Sequence, residues 1–176
     1  LHYPHAATVR ALRASRHLPA GFGLHYAATA GELLEERRRC ACLDRVPLFG
    51  ELPLPFLRAV ARRLEPRVVP SGSTVTEKGT ACSVAWFVDS GMAEAFEYGL
   101  KAEPTDTVEP GGGIGVAALH EEGAQNVHVV AKTPLALYGL RRADLDAVCA
   151  PFRDDVSSAV QARLEREATM DGVREL

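Results

Sequence analysis

A cluster of glycines in the middle of the chain is the first feature that could do chemistry. Gly111, Gly112 and Gly113 are consecutive, and Gly115 follows after one further residue. The backbone N–H groups of a glycine-rich loop can bind phosphate oxygens. A mononucleotide-binding loop would also need a Gly-Lys-Ser/Thr step and a long preceding strand, and the sequence has neither. We interpret the cluster as a turn between short elements.

Residue types that bind metals or act as nucleophiles occur, but their spacing does not favour a site. His120, Glu121 and Glu122 are adjacent, and three consecutive loop residues cannot all face one ion. Cys40 and Cys42 have no second Cys or His pair at zinc-finger spacing, which favours Cys40 as a helix-packing residue. No Ser/His/Asp or Cys/His pattern stands out. We therefore expect no metal site, no catalytic residue and no enzyme.

The composition is that of an ordinary globular protein. The chain has 176 residues, 47% of them hydrophobic and 24% charged, with a net charge of -3 that offers no broad basic surface for nucleic acid. No apolar run approaches the ~20 residues of a membrane span. Four cysteines and no signal peptide predict a cytoplasmic location. Because the sequence begins with Leu1, we expect it to be part of a larger host protein. We expect any association with a membrane to be made through that host.

Helical patterns occupy the first part of the chain. Thr29 and Glu32 have the spacing of a capping box, which predicts a helix that continues to about Arg45. Its predicted inward side chains are Leu33, Leu34, Cys40 and Leu43. Pro53 and Pro55 suit the first turn of a second helix over Phe56–Leu64.

The pattern then changes to short apolar segments separated by glycines. Gly72, Gly79 and Gly91 indicate tight turns, because glycine takes positive φ without steric cost. Trp86 could stack on a base, but the alternating pattern around it favours core packing. The predicted strands are Val68–Val69, Ser73–Thr76, Val84–Asp89, Ala93–Tyr98, Thr105–Val108, Val127–Ala131 and Leu135–Gly139. Short strands with turns at this spacing are typical of a jelly-roll-like barrel.

A helical period returns at the end of the chain. It covers Asp144–Cys149 and then a stripe formed by Phe152, Val156, Val160 and Leu164. The predicted fold class is α+β, an antiparallel β-roll flanked by N- and C-terminal helices. We expect an N-terminal helical linker over residues 1–45, the roll with its C-terminal helices over 46–168, and a tail over 169–176.

The order of these pieces resembles a known family. Val46-Pro-Leu-Phe49, the glycine-punctuated strands, Glu109-Pro-Gly111, Ile114–Leu119 and Val127–Ala131 follow one another as in the cyclic-nucleotide-binding domains of kinase regulatory subunits, gated channels and bacterial catabolite-activator-type regulators. The resemblance covers roughly Leu43 to Leu164.

The resemblance implies a phosphate-binding cassette in two stretches. In the family, Phe-Gly-Glu-x-Ala-Leu begins a short helix whose Glu binds the ribose hydroxyl, and Arg-x-Ala-Ser/Thr supplies the Arg for the phosphate. Here the first stretch keeps the Gly, Ala and Leu but has Val in place of the Glu. The second has Gln in place of the Arg. The implied ligand-binding positions are Gly115, Val116, Ala117, Ala118, Gln125, Asn126, Val127 and His128.

These replacements predict weak or absent binding of cyclic AMP or cyclic GMP, and no other cofactor is expected. The resemblance implies a non-enzymatic regulatory domain, on the cytosolic side of a larger channel, transporter or kinase-regulatory protein. Its partners would be other domains of the same polypeptide or subunits of an assembly, and not nucleic acid. The alternatives are a purely structural protein-interaction roll and a pocket for an uncharged, nucleoside-like ligand.

Overall fold

The computed structural model describes residues 22–121, 123–152 and 154–173. The chain divides into two compact units, and the boundary falls between Arg38 and Arg39, earlier than the division predicted after residue 45. Residues 1–21 of the predicted linker and 174–176 of the predicted tail lie outside the described residues.

Helix α1 spans Phe22–Arg45. Because it begins upstream of Thr29, the capping box predicted at Thr29 and Glu32 is wrong, and both residues lie inside the helix. A short capping motif matches by residue type alone, so it cannot exclude a helix that starts earlier.

The predicted inward face of α1 is correct only in part. Leu43 is fully buried and Cys40 is half-buried, but Leu33 and Leu34 are 59% and 54% exposed. Helical periodicity predicts which side chains share a face, but it does not show whether another element covers that face.

Helix α2 spans Leu54–Ala61 and is shorter than predicted. Pro53 occupies the N-cap and Pro55 lies in the first turn, where a missing N–H costs nothing. The predicted end at Leu64 is too late, since the helix is capped at Arg62 and the chain then turns into the first strand.

The described residues contain two four-stranded sheets and one two-stranded sheet, all antiparallel. The strands are β1 (Glu65–Val69), β2 (Thr74–Thr76), β3 (Ala81–Cys82), β4 (Val84–Ser90), β5 (Ala93–Phe96), β6 (Asp106–Val108), β7 (Gly113–Ile114), β8 (Gly123–Ala124), β9 (His128–Ala131) and β10 (Leu135–Arg141). The strand orders are β1-β10-β4-β7, β2-β9-β5-β6 and β3-β8. This arrangement confirms the predicted α+β class with an antiparallel β-roll.

Every predicted strand is present, with small shifts at its ends. The prediction missed β3, β7 and β8, which have two residues each. A strand of that length has no alternation to detect, and only its pairing partner defines it.

The predicted turns at Gly72, Gly79 and Gly91 are confirmed by φ angles of 78°, 83° and 91°. The constraint is strongest at Gly91, where a Cβ atom would overlap the carbonyl oxygen of Pro134. That position therefore needs glycine for its conformation and for its space.

Alternate residues of β4 face two apolar cores. Phe87 belongs to a helix-facing core, whereas Trp86 and Val88 face the interior of the roll. The helix-facing core includes Phe49, Phe56, Val60, Phe87, Leu119, Leu140, Leu145, Val160 and Leu164. The roll-interior core includes Val69, Val75, Val88, Ala93, Ile114, Val129 and Leu137. The predicted alternation along this strand is confirmed.

Helices α3 (Arg142–Cys149) and α4 (Asp154–Val173) follow the last strand. In the predicted stripe, Val160 and Leu164 are fully buried, while Phe152 and Val156 are half-buried. Phe152 precedes α4 and packs edge-to-face on another ring of the helix-facing core, with centroids 5.0 Å apart. The stripe is therefore confirmed at its two later positions and only partly at its two earlier ones.

Candidate functional site

A single turn of 3-10 helix, Val116–Leu119, forms the first half of the candidate site. It follows β7 through Gly115, which has a left-handed φ of 66°. A Cβ atom at Gly115 would lie 2.5 Å from Nε2 of Gln125 and 2.8 Å from Sγ of Cys82. Glycine is therefore required there both by the turn and by the close approach of two side chains.

The side chains of this 3-10 turn pack inward. Ala118 and Leu119 are buried, and Ala117 is half-buried. Val116, at the position of the family's Glu, is half-buried against the helix-facing core. A carboxylate at Val116 would therefore have to leave apolar surroundings to reach a ligand.

Gln125 is the buried polar side chain of the second half. It is 7% exposed, and its Nε2 donates a hydrogen bond to Sγ of Cys82 at 2.7 Å. Its backbone N–H donates to Thr80 and its carbonyl accepts from Gly79, at 2.8 and 2.7 Å. The turn between β2 and β3 thus holds the backbone of Gln125, and Cys82 of β3 holds its side chain beside Gly115.

The remaining predicted residues lie apart from this contact. Asn126 is exposed, and Val127 is half-buried against the roll-interior core. His128 is half-buried, and its Nδ1 accepts a hydrogen bond from the backbone N–H of Lys78 at 3.3 Å. The structure therefore joins Gly115 to Gln125 but does not bring all of the predicted positions together.

A cavity of about 300 Å³ opens beside Gln125. Its lining residues are Thr74, Val75, Thr76, Glu77, Thr80, Ala81, Cys82, Ser83, Val84, Trp86 and Gln125. Sequence reasoning identified only Gln125 and, as a weak stacking candidate, Trp86. The hydroxyl residues of the β2–β3 segment gave no recognisable signal, because their convergence depends on how the short strands pair.

The cavity has an unusual charge distribution for an anion site. Among its lining residues, Glu77 is the only one with a formal charge at neutral pH. Burial raises the pKa of the Cys82 thiol, although hydrogen bonds from backbone groups and from Gln125 oppose that shift. The thiol therefore stays protonated near neutral pH, and the lining supplies no permanent positive charge.

Arg67 contacts residues of the cavity lining, and sequence reasoning did not identify it. Its guanidinium carbon lies 5.0 Å from the centroid of the Trp86 ring, and Nη1 donates to the Val75 carbonyl at 3.3 Å. Arg67 therefore contacts two lining residues without being one. This contact places a guanidinium over one face of the Trp86 ring.

Neither a metal-binding cluster nor a membrane-spanning helix is present among the described residues. No group of three or more His, Cys, Asp or Glu side chains in that part of the chain is arranged to bind a metal ion. None of the helices in the described ranges has the length and apolar character needed to cross a bilayer.

The family model that matches this chain is the cyclic nucleotide-binding domain, over residues 66–151. The match contains the β-roll, the 3-10 turn, the cavity and Gln125. Together with the fold, it shows that this chain belongs to the cyclic-nucleotide-binding domain family.

Relatives of two kinds are similar in sequence. A cAMP-dependent protein kinase regulatory subunit of Aspergillus fumigatus is 33% identical over 122 residues, 68% of this chain and 29% of the relative. A cyclic nucleotide-gated potassium channel of Rhizobium etli is 28% identical over 123 residues, 69% of this chain and 33% of the channel. The chain thus spans about a third of the length of these curated relatives.

Solved structures share the fold. The regulatory domain of Toxoplasma gondii PKA, crystallised with cAMP, superimposes with a TM-score of 0.65 at 19% identity, over 80% of this chain and 52% of that one. The N-terminal domain of a Streptomyces coelicolor transcriptional regulator gives 0.64 at 20% identity, over 74% of this chain and 94% of that one.

Proposed function

We propose that this domain is a non-enzymatic regulatory module of a larger protein whose site binds cyclic AMP and cyclic GMP weakly or not at all. The observation that carries the proposal is the placement of Gln125. This neutral amide lies against Gly115 and bonds to Cys82, where the family resemblance implies a phosphate-binding arginine.

The electrostatic reasoning is direct. A hydrogen bond to a charged group contributes about 1.5–3 kcal/mol, so losing an arginine–phosphate contact weakens binding by tens-fold or more. The nearby Glu77 carboxylate adds repulsion toward an anion. Val116 lacks the carboxylate that would bind a ribose hydroxyl, and it packs against the helix-facing core. These effects act in the same direction.

The C-terminal helix supports a regulatory role. Val160 and Leu164 of α4 are buried in the core that also contains Leu119 of the 3-10 turn. Arg163 anchors the helix by donating hydrogen bonds to the carbonyls of Leu48 and Gly50. A displacement of the 3-10 turn would therefore change the packing of α4. In this proposal α4 shifts between two docked arrangements.

We further propose a cytoplasmic host of the channel, transporter or kinase-regulatory kind, since the kinase regulatory subunits and the channel that resemble this chain are longer than it is. A purely structural interaction roll is the second candidate. The Gln125–Cys82 hydrogen bond favours it, because that bond gives the amide nitrogen a partner without any ligand.

Calorimetric titration of cyclic AMP and cyclic GMP tests the proposal. We expect dissociation constants no lower than the high micromolar range for the unmodified chain. Gln125→Arg should strengthen binding of cyclic AMP by about tenfold or more. Asn126→Arg is the matched control, because it adds the same charge at the neighbouring exposed position. Submicromolar binding by the unmodified chain, or equal gains in both variants, would contradict the proposal.

A further inference from the structure

We infer that the cavity beside Gln125 binds an uncharged planar heterocycle of the nucleoside class, and that it selects against the phosphorylated forms. The inference rests on the regulatory site proposed above and names its ligand class. Charge, hydrogen-bonding capacity and aromatic surface each support it separately.

The charge of the lining disfavours an anion, and Arg67, a cation that contacts the lining, is engaged with the Trp86 ring and the Val75 carbonyl. The hydroxyls, the amide and the protonated Cys82 thiol of the lining are all neutral, and Glu77 carries a negative charge. A phosphate bound there would lose hydrating water and gain only neutral dipoles in its place. It would also lie near the Glu77 carboxylate, which repels it, so its binding is unfavourable. A neutral ligand does not meet that penalty.

The polar groups of the lining match a heterocycle with donor and acceptor edges. Gln125 uses Nε2 on Cys82, and no other described residue hydrogen-bonds its Oε1, so this oxygen can accept a further bond. Polar groups of a buried side chain are normally paired, which makes this unpaired acceptor a position for a ligand atom. The Thr76 hydroxyl also has no partner among the described residues, but it is enclosed by protein atoms and out of reach of a ligand in the cavity.

The aromatic surface is held in place before any ligand arrives. Arg67 lies 5.0 Å from the Trp86 ring centroid, and a Cβ atom at Gly139 would lie 2.7 Å from Cζ3 of that ring. The ring therefore packs on Gly139 and against the Arg67 guanidinium. A fixed aromatic side chain favours flat ligands, because less side-chain entropy is lost on binding.

The size of the cavity agrees with a small ligand. At about 300 Å³ it lies at the lower end of the ~300–1,000 Å³ range of small-molecule pockets. A single nucleoside is of that scale, whereas a dinucleotide is not.

The test compares matched ligands on the full 176-residue chain. Adenosine, guanosine, cyclic AMP and cyclic GMP are titrated by calorimetry and by the fluorescence of Trp86, the single tryptophan of the chain. At least one nucleoside should bind about tenfold or more tightly than its cyclic phosphate. The same nucleoside should slow alkylation of Cys82 by iodoacetamide, measured by mass spectrometry, and leave Cys40 unchanged as an internal reference.

Two variants connect binding to the cavity. Gln125→Met removes the unpaired amide oxygen at nearly constant side-chain length and should weaken nucleoside binding by about three- to tenfold. Gln161→Met, at an exposed position of α4, is the matched control and should leave binding unchanged.

Each outcome is decisive. If neither nucleoside binds and Cys82 is not protected, the inference fails while the proposed weak response to cyclic nucleotides stands. If a cyclic nucleotide binds more tightly than its nucleoside in the submicromolar range, the proposed function fails as well. Nucleoside binding without protection of Cys82 would place the ligand elsewhere and overturn the assignment of the cavity.

Discussion

The roll-interior core and the cavity share strands β2 and β4, but the cavity also presents polar groups that the core lacks. On β4, Trp86 lines the cavity, whereas Val88, on the same face, is fully buried in the core. The core is closed by aliphatic side chains such as Leu137, and the cavity is bordered by hydroxyls, a thiol and the Gln125 amide. One set of strands therefore provides stability in one region and polar binding groups in the next.

The largest expected effect is a difference in the free energy of unfolding between a substitution in the core and one at the cavity. Leu137→Ala, at a position 1% exposed, should lower the free energy of unfolding by about 2–5 kcal/mol, because it leaves a void in the roll-interior core. Thr74→Ala at the exposed rim of the cavity should change it by no more than about 0.5 kcal/mol. Urea denaturation monitored by Trp86 fluorescence measures both. Similar losses in the two variants would mean that the cavity carries as much stability as the core.

A second prediction tests the turns that join the strands. Gly91→Ala meets a positive φ and overlaps the Pro134 carbonyl, whereas Gly99→Ala meets a positive φ of 99° with no atom within 4 Å of its Cβ. The first should therefore cost more than the ~1–2 kcal/mol of left-handed strain expected for the second. Thermal denaturation of the two variants gives the difference. A smaller loss for Gly91→Ala than for Gly99→Ala would refute the assigned role of the close approach.

The sequence predicts the strands and turns well because their signals are local. Glycine at 72, 79 and 91 and alternation over Val84–Asp89 each depend on a few neighbouring residues, and each is confirmed. The contact of Gln125 with Cys82 was not predictable, because it joins residues far apart in the chain through the pairing of β3 with β8. Those strands have two residues each and leave no pattern.

The same distinction explains the other errors. Leu33 and Leu34 fit a helical stripe, but burial depends on a partner that the stripe does not specify. Val116 stands at the position of the family's Glu, and only the packing shows that it contributes to the helix-facing core. The hydroxyls of the β2–β3 segment line the cavity through tertiary convergence, which single-sequence patterns do not contain.

A third prediction concerns the orientation of the cavity's aromatic side chain. Arg67→Met keeps the length of the side chain but removes the charge over the Trp86 ring and the hydrogen bond to Val75. We expect a loss of stability of about 0.5–2 kcal/mol and a red-shifted Trp86 emission, because the ring gains freedom and contact with water. Arg37→Met, at an exposed position of α1, is the control for removing an arginine charge outside the cavity lining. An unchanged emission spectrum in Arg67→Met would show that Gly139 suffices to hold the ring.

The smallest expected effect is a pH dependence that compares one thiol in each region. Burial raises the pKa of Cys82 at the cavity, and burial together with the charge of Asp146 raises the pKa of Cys149 in the helix-facing core. A raised pKa means that the folded state holds the proton more tightly than the unfolded state. The stabilising contribution is therefore complete below the ordinary thiol pKa of about 8.5 and is lost as the pH rises through the folded-state pKa. Urea denaturation from neutral to alkaline pH should show a decline that Cys82→Ser and Cys149→Ser each reduce, since a serine hydroxyl does not ionise in this range. If both variants keep the slope of the unmodified chain, the alkaline decline comes from other groups and neither thiol is desolvated enough to matter.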